Sequence, residues 1–293
     1  EIKPWGDLAA ARCYGQEVAT ADYIMFCDCD DLLYRNDAIW EVFHLIDTKN
    51  PDIITSKFVE DLYNKNTKEY IWGYAEHNND NVWIHGKFWK RQFLLEKEIK
   101  GCPALEHYYE DSYFVRQAFA LTNNIAHTDN PIWWWKYRVD SCVRTDYDWT
   151  LKTYPQKIRS NEMLVKSLLN HNKIDTAINY IYVQIYEGYF TLLQDEIWEQ
   201  DCYKQYKLPI EQKLKEYYLK YKDLFEKVNP QSAAIMMDVL RKRFYTDKNK
   251  VAIESITFND WLQNILLKIK IYIMLRLHVH RIVIYILIVK KLY

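Results

Sequence analysis

The 293-residue sequence has almost no charge imbalance, with 39 basic against 40 acidic residues. No overall field therefore draws in a polyanion, and a nucleic-acid partner is not expected. Its six cysteines, at positions 13, 27, 29, 102, 142 and 202, form no Cys-x-x-Cys pair and lack zinc-like spacing to a histidine. Together with the absence of a signal-like N-terminus, this predicts free thiols in a reducing cytosol. Long uninterrupted apolar runs are missing too. The apolar C-terminal stretch is broken by Lys268, Lys270, Arg276 and Arg281, so a spanning helix of about 20 apolar residues is not expected. No internal repeat has a fixed period.

Aromatic residues, by contrast, are abundant, with 25 Tyr and 11 Trp. Most are expected in the core, although aromatic faces also pack against apolar sugar faces. Charge is unevenly placed. From Leu266 to Tyr293 there are six Lys/Arg and no acid, so the formal −1 of the whole chain leaves −7 for the rest.

The most informative stretch is Asp28-Cys29-Asp30-Asp31, which ends the apolar run Tyr23-Ile24-Met25-Phe26-Cys27. Such a run reads as a buried strand of a mostly parallel sheet. Three carboxylates within four residues at a strand's C-terminal end repel one another unless a cation sits among them. Mg²⁺ or Mn²⁺ uses one or two carboxylates plus substrate phosphates, and α/β sheets bind ligands beyond the carboxyl ends of their strands. An Asx-turn or a helix N-cap would use the same residues without a metal.

The segment Gly6-Asp7-Leu8-Ala9-Ala10-Ala11-Arg12, followed by Ala19-Thr20-Ala21-Asp22-Tyr23 through Asp31, resembles the family 2 inverting glycosyltransferases of GT-A fold. Cys13 stands where that family has Asn, and Ala21 where it has Gly. The block Trp83-Ile84-His85-Gly86-Lys87-Phe88-Trp89-Lys90-Arg91-Gln92-Phe93-Leu94 resembles a second family motif. Tyr109-Glu110-Asp111 resembles a third, one that opens a helix facing the acceptor. The segment Asn124 to Arg138, read as strand, turn, strand, and the following Ser141 and Arg144, resemble a fourth. The resemblance covers positions 6 to 145.

That resemblance implies a metal-dependent transfer of a sugar, with inversion, from a nucleotide-diphosphate donor to a glycan or lipid-linked acceptor hydroxyl. The implied donor is a UDP-sugar. Asp28 would face the nucleoside, Asp30 would coordinate Mn²⁺ or Mg²⁺, and Asp31 would support it. Arg12, Lys87, Arg138 and Arg144 would contact the donor, the two later arginines through its diphosphate. Asp111 would be the base, with Glu110 beside it; at a helix N-terminus the dipole favours its ionised form. First-turn acids are also ordinary helix caps.

The implied fold class is α/β, a GT-A mixed sheet lacking its usual first strands, followed by an α-helical C-terminal region. The family pattern places two further strand–helix units before this point, roughly sixty residues. The expected organisation is a GT-A portion at 1–148, a helical region at 149–262 and a basic apolar tail at 263–293. Ile39, Val42, Phe43 and Ile46 predict one helix stripe with Asn36 as its N-cap, Asp61 to Lys68 a polar loop, and Pro209 and Pro230 helix punctuation. The tail, alternating from Leu267 to Val279, reads as a strand or as a basic helix on an anionic membrane surface through 266–293; a docked structural element is the other reading. This would make the chain cytoplasmic and peripheral on the inner membrane face. Outside the enzyme class, a non-catalytic remnant binding a membrane or partner would share these features, as would a transferase acting on a nucleic-acid base.

Overall fold

The computed structural model describes residues 7–226 except 36, 65, 78–82, 107, 139–146 and 194. Arg144 and the tail at 263–293 lie outside the described residues.

Helix α1 (Leu8–Val18) begins where the Asp7 carboxylate accepts the Ala9 N–H at 2.9 Å, a side-chain N-cap. Strand β1 (Tyr23–Met25) follows and leads into the aspartate stretch, then β2 (Leu32–Leu33) and α2 (Trp40–Lys49). Val42 and Leu45 of α2 are buried against Ile54, Phe88, Ala126 and Ile132, with Ile39 and Ile46 packed beside them. Phe43, expected in this stripe, is 53% exposed and lies edge-on to Trp40 at 6.1 Å. One residue from Val42 is a turn of about 100° around the helix, which takes Phe43 off the buried face.

Strand β3 (Ile53–Asn64) pairs antiparallel with β4 (Glu69–His77), so the expected polar loop at 61–68 is largely the end of a hairpin. Cross-strand aromatic contact supplies the reason: Tyr63 meets Tyr70 at 5.1 Å and stacks on Tyr137 at 4.5 Å. Strand β5 (Lys87–Lys90) runs into α3 (Arg91–Glu96), and a 3₁₀ turn (Pro103–Leu105) precedes α4 (Glu110–Leu121). Strand β6 (Ile125–Trp135) is continuous where a turn was expected. Its register against β3 jumps from Thr128 to Pro131, so Asp129 and Asn130 form a bulge and Pro131 sits where a lost ladder donor is tolerated.

The sheet order is β1-β5-β3-β6-β2, with β4 on β3. It is mixed: among the described residues only β3 and β6 pair in parallel, and β1 pairs antiparallel with β5. The mostly parallel sheet expected from the apolar run of β1 is therefore not what forms. Alternation along β5 divides its side chains. Phe88 joins the α2 core, whereas the fully buried Trp89 meets Phe114 of α4 edge-on at 5.1 Å.

The C-terminal part is helical: α5 (Tyr147–Lys152), α6 (Tyr154–Asn170), α7 (Ile174–Leu193), α8 (Asp195–Trp198) and α9 (Asp201–Glu226). Asn161 of α6 ties this bundle together, donating to the Tyr180 carbonyl at 3.4 Å and accepting from the buried Tyr217 hydroxyl at 2.6 Å. Helix α9 runs through Pro209, which was expected to end a helix. Burial of Ile210, Leu214, Tyr217, Tyr218 and Tyr221 just beyond it outweighs one missing backbone bond. No described helix is long and apolar enough to cross a membrane.

Candidate active site

Beyond β1 the chain turns sharply: the Asp31 N–H donates to the Asp28 carbonyl at 3.1 Å, closing a four-residue turn. This turn sends the three aspartates in different directions. Asp28 reaches the guanidinium of Arg12 at 2.6 Å. Asp30 pairs with Arg138 at 2.9 Å. Asp31 points inward, where its two oxygens accept the Trp133 indole N–H at 3.1 Å and the Lys136 backbone N–H at 3.0 Å.

Arg12, on α1, carries the geometry further. Its other nitrogen is ion-paired with Glu110 at the start of α4. One side chain thus joins the end of β1 to the acid pair Glu110-Asp111. The start of α4 is held in an unusual backbone. Tyr109, its N-cap residue, has φ 59° and ψ 21°, a left-handed conformation costing about 1–3 kcal/mol for a non-glycine residue. The bundle fixes it there. Ser160 donates to the Tyr109 carbonyl at 3.0 Å, and the Tyr109 hydroxyl lies 3.1 Å from that of Thr153.

The block 83–94 brings His85 to the same place. Gly86 has φ +64°, which a side chain would disfavour. Its carbonyl accepts the Ser56 hydroxyl at 2.9 Å. On one side of this corner the His85 ring stacks over Trp133, with centroids 6.0 Å apart and planes 11° apart. On the other, Lys87 is fully buried and donates to the Trp83 carbonyl at 2.5 Å.

Burial dominates the electrostatics here. It raises the Asp31 carboxyl to about 6, against the two N–H donors that stabilise its anion and with help from Asp30 and Asp28. It raises Glu110 to about 7, reinforced by Asp111 and opposed by Arg12. Asp111 is raised as well, by burial first, although the Ser112 N–H and Arg12 oppose it. His85 moves the other way, to about 4, again by burial, so its imidazole is neutral at physiological pH. Arg12 stays cationic: burial works against its charge, but Asp28 and Glu110 outweigh burial and its pKa is raised.

One carboxylate oxygen each from Asp28 and Asp31 and one ring nitrogen of His85 lie within 4.8 Å of one another. Two carboxylate oxygens and a neutral imidazole form a donor set that a divalent ion can use, with further positions left for substrate oxygens. The donor set therefore fits a divalent ion. Of the two expected metal ligands, Asp31 lies in this cluster and Asp30 is paired with Arg138. Cys27 and Cys29 are exposed free thiols beside this set.

The structure thus brings Asp28, Asp31, Arg12, Glu110 and Asp111 together, and places Asp30 with Arg138 at the outer side of the turn. Lys87 directs its amine into the interior. His127 sits apart, 2.7 Å from the Thr55 hydroxyl. His85 and Tyr109 are the residues that motif reading passed over. His85 stands inside the block 83–94, where its place in an apolar run, one residue before a glycine, is the available signal. Nothing in the sequence marks Tyr109 as left-handed.

No family model matches the chain, and no curated protein does. Among solved structures, the chain is similar to S. aureus TarS. Against TarS 1–349 in complex with UDP-GlcNAc the TM-score is 0.50 at 13% identity, covering 81% of this chain and 72% of that one. Against TarS 1–349 alone it is 0.47 at 12% identity, covering 85% and 74%. Against the longer TarS chain it is 0.48 at 12% identity, covering 86% of this chain and 45% of that one. The fold is GT-A-like, an α/β mixed sheet with a helical C-terminal part.

Proposed function

We propose that this chain is a metal-dependent glycosyltransferase that moves a sugar from a UDP-sugar to a hydroxyl of a glycan or lipid-linked acceptor, with inversion. The observation that carries this reading is the Arg12 bridge. It joins the aspartate turn beyond β1, where a nucleotide diphosphate would sit, to the acid pair opening α4, where a base is needed. The GT-A-like fold supports the reading, and TarS, a protein of like fold, has been solved with UDP-GlcNAc.

Asp28, Asp31 and His85 would hold Mn²⁺ or Mg²⁺, which when bound offsets charge on the departing diphosphate. Arg138, already at the aspartate turn through Asp30, is placed to meet phosphate oxygens with its guanidinium fork. Asp111 takes the proton of the acceptor hydroxyl as its oxygen attacks the anomeric carbon. Its raised pKa makes it a stronger base than an ordinary carboxylate. Part of Asp111 reaches the surface, whereas Glu110 is only 4% exposed and bound to Arg12. Glu110 therefore serves as the fixed neighbour that keeps Arg12 in place.

The test is UDP release by the full chain from UDP-GlcNAc and other UDP-sugars in the presence of Mn²⁺. Wild type should release UDP, and Asp111→Asn should lose release by about 100-fold or more, the usual worth of a general base, while still binding UDP. Undiminished release by Asp111→Asn would refute its role.

A further inference from the structure

The β3–β4 hairpin presents an aromatic end that the donor site does not use. Trp72 is 98% exposed. Its exposure is built into the backbone. In the β3–β4 register, Asp61 pairs with Tyr74 and Leu62 with Ile71, so Trp72 and Gly73 are two extra residues. Gly73 adopts φ +119°, which an L side chain rarely reaches. Bulges of this kind re-aim a side chain and are frequent beside functional sites. Tyr70 and Tyr74, 58% and 45% exposed, flank the bulge.

The same end is seated on the two segments that hold the aspartate turn. Tyr34, three residues after Asp31, lies edge-on to Tyr74 at 5.0 Å. Tyr137, between Lys136 and Arg138, stacks on Tyr63 and accepts the Tyr70 hydroxyl at 2.6 Å through its carbonyl. Through Tyr34 and Tyr137 the hairpin end adjoins the segments that carry Asp31 and Arg138.

We propose that this hairpin end, centred on Trp72, is a carbohydrate-binding platform that receives the acceptor as a neutral glycan. The inference rests on the transferase reading above and adds the acceptor class to it. Tyr and Trp offer flat faces for the C–H side of a sugar ring, with hydroxyl and indole N–H groups at their rims. Charge distinguishes this occupant from an anionic membrane. Charge is balanced across this end: Lys57 lies 3.0 Å from Glu76 and Lys136 3.3 Å from Asp61, and the exposed Lys68 precedes Glu69 at the hairpin turn. A face of balanced charge offers no basic patch to anionic headgroups, and carboxylates such as Glu69 accept charge-assisted bonds from sugar hydroxyls.

The experiment is binding of the 293-residue chain to an array of neutral oligosaccharides, followed by calorimetric titration with the strongest binder. Trp72→Ala should weaken that binding by about tenfold, the size of one aromatic stacking contact, and Trp72→Phe should retain most of it. A fully exposed side chain leaves the fold intact when removed, and UDP titration of the variant checks this. Binding to no member of the array, or equal binding by wild type and Trp72→Ala, overturns the platform. So does sedimentation showing a wild-type dimer that Trp72→Ala converts to monomer, because the face would then be a self-association surface. If UDP binds and oligosaccharide binding ignores Trp72, only the platform fails. If oligosaccharides bind through Trp72 but UDP does not bind, the donor reading fails instead.

Discussion

Burial pushes Asp31, Glu110 and Asp111 toward their protonated forms and His85 toward its neutral form. The signs oppose each other. A carboxyl whose folded pKa is raised contributes stability that is fully present below its unfolded value and is lost as pH rises through the folded value, about 6 for Asp31 and about 7 for Glu110. His85, lowered to about 4, contributes stability that is lost as pH falls through that value. Above about pH 6.5 the imidazole is neutral in both states, so the metal-free cluster loses stability as pH rises through about 7, where Glu110 titrates. A divalent ion needs deprotonated carboxylates and a neutral imidazole, and so gains affinity over the same range. The expected outcome is that Mn²⁺ raises the melting temperature more at about pH 8 than at about pH 5. Equal shifts at both values would contradict the assignment of Asp28, Asp31 and His85 as ligands.

Three segments meet at Arg12: α1 supplies it, the turn beyond β1 supplies Asp28 and α4 supplies Glu110. Breaking a buried ion pair from one side is strongly destabilising, by about 3–5 kcal/mol, because the remaining charge is left uncompensated. Arg12→Met should therefore destabilise the chain by roughly that amount, and Arg12→Met combined with Glu110→Gln should recover most of the loss. Denaturant unfolding of wild type, both single variants and the double variant measures this; additive losses would show that the pair is not coupled. The elements themselves were largely legible. The apolar run of β1 and the first-turn acids of α4 both have local signals. Less legible were features decided by contact between distant segments. Asp61 to Asn64 looks like loop by composition, yet Tyr63, Tyr70 and Tyr137 stack and draw it into β3. The bulge at Asp129-Asn130 reads as a turn in one dimension. The motif placed the aspartates, but only the turn from Asp28 to Asp31 decides which faces His85, which faces Arg12 and which faces Arg138.

At the scale of the described residues, the helical part supports the start of α4. Gln117 of α4 donates to Ser167 of α6 at 2.5 Å, and Ser160 and Thr153 hold the backbone of Tyr109, so the bundle sets the angle at which Glu110 and Asp111 are presented. The sheet, through β1 and β5, supplies the opposing carboxylates and imidazole. We propose that these two sets of residues together bind a nucleotide diphosphate through a divalent ion. Calorimetric titration of UDP into the folded 293-residue chain, with and without Mn²⁺, tests it most directly, with Asp31→Asn as the control. Binding should require Mn²⁺ and be lost in Asp31→Asn. Binding indifferent to Mn²⁺, or no binding by the folded chain in either condition, would contradict it.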